Sequence, residues 1–140
     1  MKKEIYLYPI VISETKNDSS GFDFVIEIPA FNGFTQAETF EESIEMARDY
    51  IGNHLVELDR KGSVFPEQEV DYRNIGSLKK SENDIVTTVD VNFRNFKYAN
   101  DNKSVRKNVT IPNYLDVLGK EHKVNFSELL TDSLRNLLVN

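Results

Sequence analysis

The sequence predicts an α+β protein, in which an N-terminal β-sheet carries one long packed helix and is followed by a strand and two short helices. Segments rich in β-branched and aromatic residues dominate the start of the chain, one long amphipathic helical pattern follows them, and two shorter helical patterns end it. A length of 140 residues, 39% of them apolar, is sufficient for one domain or two small ones.

The first two strands are predicted over residues 5–12 and 22–28. Residues 5–12 are apolar on both faces, and Pro9 within them favours an edge position or a bulge. Residues 22–28 alternate apolar and polar side chains, which indicates a strand with one buried face. Turn residues fill positions 16–21, so the two strands are expected to form a hairpin.

Two further strands complete the predicted sheet. Asn32 and Gly33 both tolerate a positive φ and favour a tight turn, after which a short strand returns over residues 34–37. Residues 66–84 are rich in charged residues, Gly and Asn without a clear period, and are expected to be a connection. Alternation resumes over residues 85–93 and predicts the fourth strand.

A single long helix is predicted between Thr39 and Gly62. Thr39 and Glu42 have the spacing of a capping box, and Gly62 is placed to end the helix. One apolar stripe is expected to pack on the sheet, formed by Phe40, Ile44, Ala47, Ile51, Leu55 and Leu58. The opposite face is either solvated or a docking surface for a basic partner, and it carries Glu41, Glu42, Glu45 and Asp49.

Charge divides the chain into two parts. Residues 1–102 hold 11 Lys and Arg against 19 Asp and Glu, a net charge of −8, whereas residues 103–140 hold 6 against 4, a net charge of +2. The polar residues between them favour a linker. We therefore predict a first domain over residues 1–98, a linker at 99–103 and a second domain at 104–140.

The second domain is predicted to contain one strand and two helices. Residues 105–111 favour a strand, Pro112 ends it, and residues 113–122 favour a short helix. Asn125 is suited to cap a final helix. So few residues cannot close a core alone, and the unit must pair with a copy of itself or dock on the first domain.

This order of elements resembles the ribbon-helix-helix DNA-binding unit. The resemblance implies that two chains pair their strands into an antiparallel ribbon that enters the major groove of operator DNA. The implied base contacts come from polar residues of the strand, and the implied phosphate contacts come from backbone amides of the second helix: Arg106, Asn108 and Thr110 in the first set, Asn125, Phe126 and Ser127 in the second. The alternative is an outward strand face that is polar because it is solvated.

The chain as a whole is similar to the HicB antitoxins of prokaryotic type II toxin-antitoxin modules. The similarity rests on an ordered set of motifs: Tyr8-Pro9, Gly21-Phe22, the run from Asn32 to Glu42, the strand over 86–93 and the C-terminal unit. Three positions depart from the usual pattern, since Phe34, Ala37 and Ser43 stand where the family has Cys, Gly and Ala.

The resemblance implies a partial ribonuclease H fold for the first domain and an antitoxin that covers the catalytic histidine of HicA, a small basic mRNA interferase. It also implies autorepression of the operon by a homodimer or a dimer of dimers. An acidic first domain is complementary to a basic toxin. We expect the toxin contacts on the acidic helix face, at Glu41, Glu42, Glu45 and Asp49, together with nearby Asp23 and Glu27.

Catalysis is not expected. The chain has no Cys and only two His, His54 and His122, which leaves no thiol nucleophile and no thiolate zinc site. Asp23 and Glu27 lie roughly 13 Å apart along an extended strand, too far for a two-metal site, so neither metal nor cofactor is predicted.

Two alternatives stay open at this stage. One is a stand-alone ribbon-helix-helix repressor whose acidic domain binds a ligand or another protein, and the other is a metal-dependent nuclease. The sequence has no apolar run of membrane-spanning length and no secretory pattern at its start, so a cytoplasmic location without membrane contact is expected.

Overall fold

The computed structural model describes residues 3–15, 21–67, 71, 73–99, 101 and 103–139. The chain divides into two compact units, Met1–Asp101 (unit 1) and Asn102–Asn140 (unit 2). Most of the predicted turn at 16–21 and parts of the predicted connection lie outside the described residues.

Unit 1 contains a four-stranded antiparallel sheet with the strand order β3-β2-β1-β4. The strands are β1 (Ile5–Glu14), β2 (Phe24–Ile28), β3 (Gly33–Ala37) and β4 (Ile85–Asn92). Each predicted strand of unit 1 is therefore present, with its ends shifted by up to two residues. Between β2 and β3, the turn is made by Asn32, whose φ is 49°, after a 3₁₀ turn over Pro29–Phe31.

Helix α1 (Phe40–Arg60) packs on one face of this sheet. The buried core combines residues of α1 with alternate residues of the strands: Ala47, Ile51 and Leu55 with Tyr6, Tyr8, Ile10, Ile12, Ile26 and Ile28. Thr39 caps the helix by accepting a hydrogen bond from the Glu42 amide at 3.1 Å. The Glu42 carboxylate reaches back to the amide of Glu38, one residue earlier than a standard capping box requires.

The outer edge of the sheet at β4 is bonded to α1. The Arg48 guanidinium donates to the backbone carbonyl of Asp90 at 2.9 Å and to its carboxylate at 3.0 Å. A charged side chain along an edge strand obstructs the addition of a further strand. The edge at β4 is therefore partly closed, whereas β3 forms the opposite edge.

Helix α2 (Phe93–Ala99) follows β4 directly, and it includes the last residue of the predicted strand and the first residue of the predicted linker. The predicted strand is wrong at Phe93, because the Asn92 side chain accepts from the Asn95 amide at 3.1 Å and starts a helix there. Lys97 pairs with Asp59 of α1 at 3.3 Å. Helix α2 thus packs on α1 and belongs to unit 1.

The connection between α1 and β4 contacts the buried core at one end. At its other end it contacts the second face of the sheet, which is the face opposite α1. Burial raises the pKa of Tyr8 to about 12, and its hydroxyl donates to the Pro66 carbonyl at 2.9 Å. Near the other end, the buried carboxylate of Asp84 accepts from the Ser13 hydroxyl at 2.8 Å and from the amides of Lys80 and Ser81 at 3.0 Å.

Unit 2 contains helices α3 (Asn113–Glu121) and α4 (Phe126–Leu138). The Asn125 side chain caps α4 by accepting from the Glu128 amide at 3.1 Å. Residues 103–110 form neither helix nor strand, so the predicted strand is not present in the single chain. A strand needs a neighbouring strand to pair with, and the described sheet contains only β1 to β4.

Candidate functional site

The exposed face of α1 carries a line of carboxylates. Glu41, Glu45 and Asp49 are exposed and repeat every four residues, which places them above one another on one side of the helix. Among the described residues, none of these three carboxylates forms an ion pair. Glu42 is half-buried and engaged at the start of the helix. The described residues of unit 1 therefore do not neutralise the negative charge of this face.

The structure does not add Glu27 to that face. Ile26 and Ile28 are buried under α1, so the alternation of β2 places Glu27 on the second face of the sheet. There, Glu27 pairs with Lys80 of the connection at 3.0 Å. Asp23 is exposed in the bend before β2. The expectation that these strand acids lie beside the helix acids is therefore wrong for Glu27.

An exposed aromatic ring lies beside Glu27 on the second face. Phe34 of β3 is directly opposite Glu27 in the strand register and is 58% exposed. The Lys80 ammonium nitrogen lies 5.8 Å from the centre of its ring. The sequence analysis did not identify Phe34 as a surface residue. The signal was the alternation of β3, because Phe34 lies on the face opposite to that of Thr35 and the buried Ala37.

The polar residues predicted to contact DNA are exposed in unit 2. Arg106, Asn108 and Thr110 alternate along the segment without secondary structure. Asn125 uses its side chain to cap α4, while the amides of Phe126 and Ser127 belong to the first turn, where a helix has no internal acceptor. A helix start of this kind suits a phosphate oxygen.

Unit 2 also exposes a wide apolar surface. No residue in its described range is buried, and Leu129 and Leu137 are 57% and 78% exposed. The helices and the segment before them border an open groove of about 420 Å³. It is lined by Ile111, Leu115, Leu118, Gly119, His122, Val124, Phe126 and Leu129. Exposed apolar surfaces of this kind are typical of association sites.

The two histidines occupy structural positions. His54 stacks on Tyr50 with ring centres 4.1 Å apart, and its Nδ1 lies 2.8 Å from the Tyr50 carbonyl oxygen. His122 ends α3, where its amide donates to the Leu118 carbonyl. The described residues contain no group of three potential metal ligands and no helix long and apolar enough to cross a membrane.

Comparison with known proteins identifies the class. Residues 8–132 match the family described as the HicB_like antitoxin of bacterial toxin-antitoxin systems. Since the match covers most of the chain, the protein is an antitoxin of that class. It belongs to the HicB-like family, and the resemblance to HicB antitoxins that the sequence indicates is confirmed.

Two solved structures share the fold. A toxin-antitoxin complex from Streptococcus pneumoniae matches with a TM-score of 0.56 and 23% identity, over 94% of this chain and 98% of that chain. The antitoxin HicB of Burkholderia pseudomallei matches with a TM-score of 0.53 and 19% identity, over 95% and 96%. The comparison with curated proteins gave no match.

Proposed function

We propose that this antitoxin binds and neutralises a small basic HicA-type mRNA interferase and represses its own operon through a C-terminal ribbon-helix-helix dimer. In this proposal, residues 1–98 bind the toxin and residues 104–140 dimerise and bind DNA. Residues 99–103 are the linker between these two domains. The role is regulatory rather than enzymatic, and it is exercised in the cytoplasm. The observation that best supports the proposed dimer is the exposed apolar surface of unit 2.

A second copy of the chain supplies unit 2 with a strand to pair with and with an apolar surface to cover its groove. Antiparallel pairing of residues 105–111 from two chains supplies each with the hydrogen-bonded neighbour that one chain lacks. The same pairing brings the apolar groove of each copy against its partner and removes it from water. A homodimer is therefore the minimal assembly, and a dimer of dimers is its extension on a palindromic operator.

The paired strands present the DNA-binding residues. Side chains two apart share a face of a strand, so Arg106, Asn108 and Thr110 line one side of the ribbon. Arg matches guanine O6 and N7, and Asn matches adenine N6 and N7, in the major groove. The amides of Phe126 and Ser127, beside the Asn125 cap, then hold a phosphate. The net charge of +2 on residues 103–140 favours this partner.

The acidic first domain suits the toxin. The exposed carboxylates of α1 attract a basic protein at long range and raise the association rate. Glu41, Glu42, Glu45 and Asp49 form the proposed helical contact. Asp23 and Glu27 contribute on other parts of the same domain.

Co-expression with the small basic protein encoded beside the gene tests the proposal. We expect that protein alone to arrest growth, the antitoxin to relieve the arrest, and a complex of the two to purify. Arrest without relief, or no arrest, would instead favour a stand-alone repressor whose acidic domain has a different ligand.

A further inference from the structure

We infer that Phe34 and Glu27 form a binding site for an arginine side chain of the toxin, and that Lys80 occupies this site in the free antitoxin. The inference rests on the proposed function for the identity of the partner. It assigns a contact on the second face of the sheet, away from the acidic face of α1.

The two residues have the geometry of a cation site. Phe34 and Glu27 are directly opposite in the pairing of β3 with β2, so their side chains emerge side by side on one face. The ring is 58% exposed, while the Glu27 side chain is 22% exposed. A π-face beside a partly buried carboxylate attracts a positive charge and repels the phosphates of a nucleic acid.

Lys80 demonstrates that the site accepts a cation. Its ammonium nitrogen lies 3.0 Å from a Glu27 oxygen and 5.8 Å from the ring centre of Phe34. Its side chain is nevertheless 69% exposed. The backbone amide of Lys80 is held separately by the Asp84 carboxylate at 3.0 Å. The ammonium group can therefore leave the site without any change in the fold of the connection.

A guanidinium group fits this site better than the resident ammonium group. Its plane stacks on an aromatic ring while its N–H donors bond a carboxylate in pairs, and it is more weakly hydrated than an ammonium ion. A basic toxin supplies such side chains, and the net charge of −8 on residues 1–102 draws it towards unit 1. An arginine of the toxin thus displaces Lys80 when the complex forms.

Competition by Lys80 makes a specific kinetic prediction for the full-length protein. Lys80→Gln vacates the site, so the toxin complex should dissociate about two- to fivefold more slowly, the range expected for an exposed ion pair. Lys79→Gln removes the same charge from the neighbouring exposed residue and should leave the dissociation rate unchanged. Surface plasmon resonance with the purified toxin measures both rates.

The aromatic ring is tested by Phe34→Ala, with Phe34→Leu to retain apolar area. Both should speed dissociation, by roughly tenfold for Phe34→Ala. Either one combined with Lys80→Gln should abolish the gain from Lys80→Gln. Equal dissociation rates for Lys80→Gln and Lys79→Gln, or unchanged dissociation of Phe34→Ala, would overturn the inference.

An assay without the toxin separates this inference from the proposed function. N-acetyl-arginine amide, titrated into the Lys80→Gln chain, should shift the NMR signals of Phe34 and its strand neighbours more than N-acetyl-lysine amide does, and Phe34→Ala should remove the difference. If the wild-type chain binds no toxin but the Lys80→Gln chain shows these shifts, the site is retained and the proposed function is overturned. If the chain binds the toxin but the variants change neither the dissociation rates nor the NMR titration, the proposed function is retained and the arginine site is overturned.

Discussion

The ring of Phe96 on α2 lies directly over Gly52 of α1. A Cβ atom at position 52 would overlap three atoms of that ring, although Gly52 is in the middle of a helix where Ala is intrinsically favoured. The close approach of α2 therefore requires a residue without a Cβ atom at position 52. This requirement outweighs the low helical propensity of Gly. The same principle applies at Gly33, where a Cβ would overlap the Tyr50 hydroxyl.

Gly52→Ala should lower the free energy of unfolding by about 1–3 kcal/mol, because overpacking forces the two helices apart. Asn53→Ala, at the next and exposed position, is the matched control and should change stability little. Urea denaturation of both variants measures the difference. A more stable Gly52→Ala protein would mean that Phe96 moves aside without cost.

Glu45→Lys should slow association with the toxin severalfold at low salt, because it reverses a charge at the centre of the exposed acidic line on α1. Glu82→Lys makes the same change on the connection and should have a smaller effect. Stopped-flow measurements at several salt concentrations distinguish them. Equal association rates for the two variants would identify the α1 face as merely solvated.

Arg106→Ala should weaken operator binding by about 1–3 kcal/mol and relax the sequence preference at one base pair, because we propose that its guanidinium group contacts a base edge. Lys107→Ala falls on the other side of the proposed strand and should weaken binding to all sequences alike. Electrophoretic shifts on the operator and on single-base variants provide the comparison. Unchanged preference in Arg106→Ala would remove this residue from the base contacts.

Leu118→Asp should convert the proposed homodimer into a monomer and abolish operator binding, since it places a charge in the apolar groove of unit 2. Thr131→Asp lies on α4 outside the residues that line the groove and should leave the dimer intact. Sedimentation velocity gives the mass of each. A dimeric Leu118→Asp protein would locate the contact between copies elsewhere.

Acid should destabilise the wild-type chain more than Asp84→Asn. The hydrogen bond from Ser13 and those from the amides of Lys80 and Ser81 hold the pKa of Asp84 below its ordinary value. Its contribution is thus complete above the unfolded-state pKa and is lost as the pH falls through the lower folded value. Urea midpoints between neutral pH and pH about 3 test this, with Glu82→Gln as control. If the urea midpoints of wild type and Asp84→Asn fall equally as the pH is lowered, the prediction is wrong.

The sheet and α1 were predictable because local signals and tertiary packing agree there. Alternation in β2 and β4 and the Thr39 cap each specify one structure. Helix α2 was not predictable from periodicity, since seven residues complete less than two turns and follow an alternating strand without a break. The Asn92 cap was the available signal.

The candidate site was predictable only in part. The alternation that buries Ile26 also implies that Glu27 faces away from α1, but its partner Lys80 comes from a connection without a period. The proximity of Phe34, Glu27 and Lys80 depends on strand register and on the path of that connection. Neither is encoded in any local pattern.

The lack of buried residues in the described part of unit 2 has a consequence for the lifetime of the protein. In the proposed homodimer, unit 2 gains its core by association, so its folded population follows mass action and falls as the antitoxin becomes dilute. Partly unfolded C-terminal segments are the preferred entry points of cellular proteases. Dimerisation of this kind therefore predicts that degradation accelerates as the concentration declines, and that the antitoxin supply drops abruptly below a threshold instead of decaying gradually.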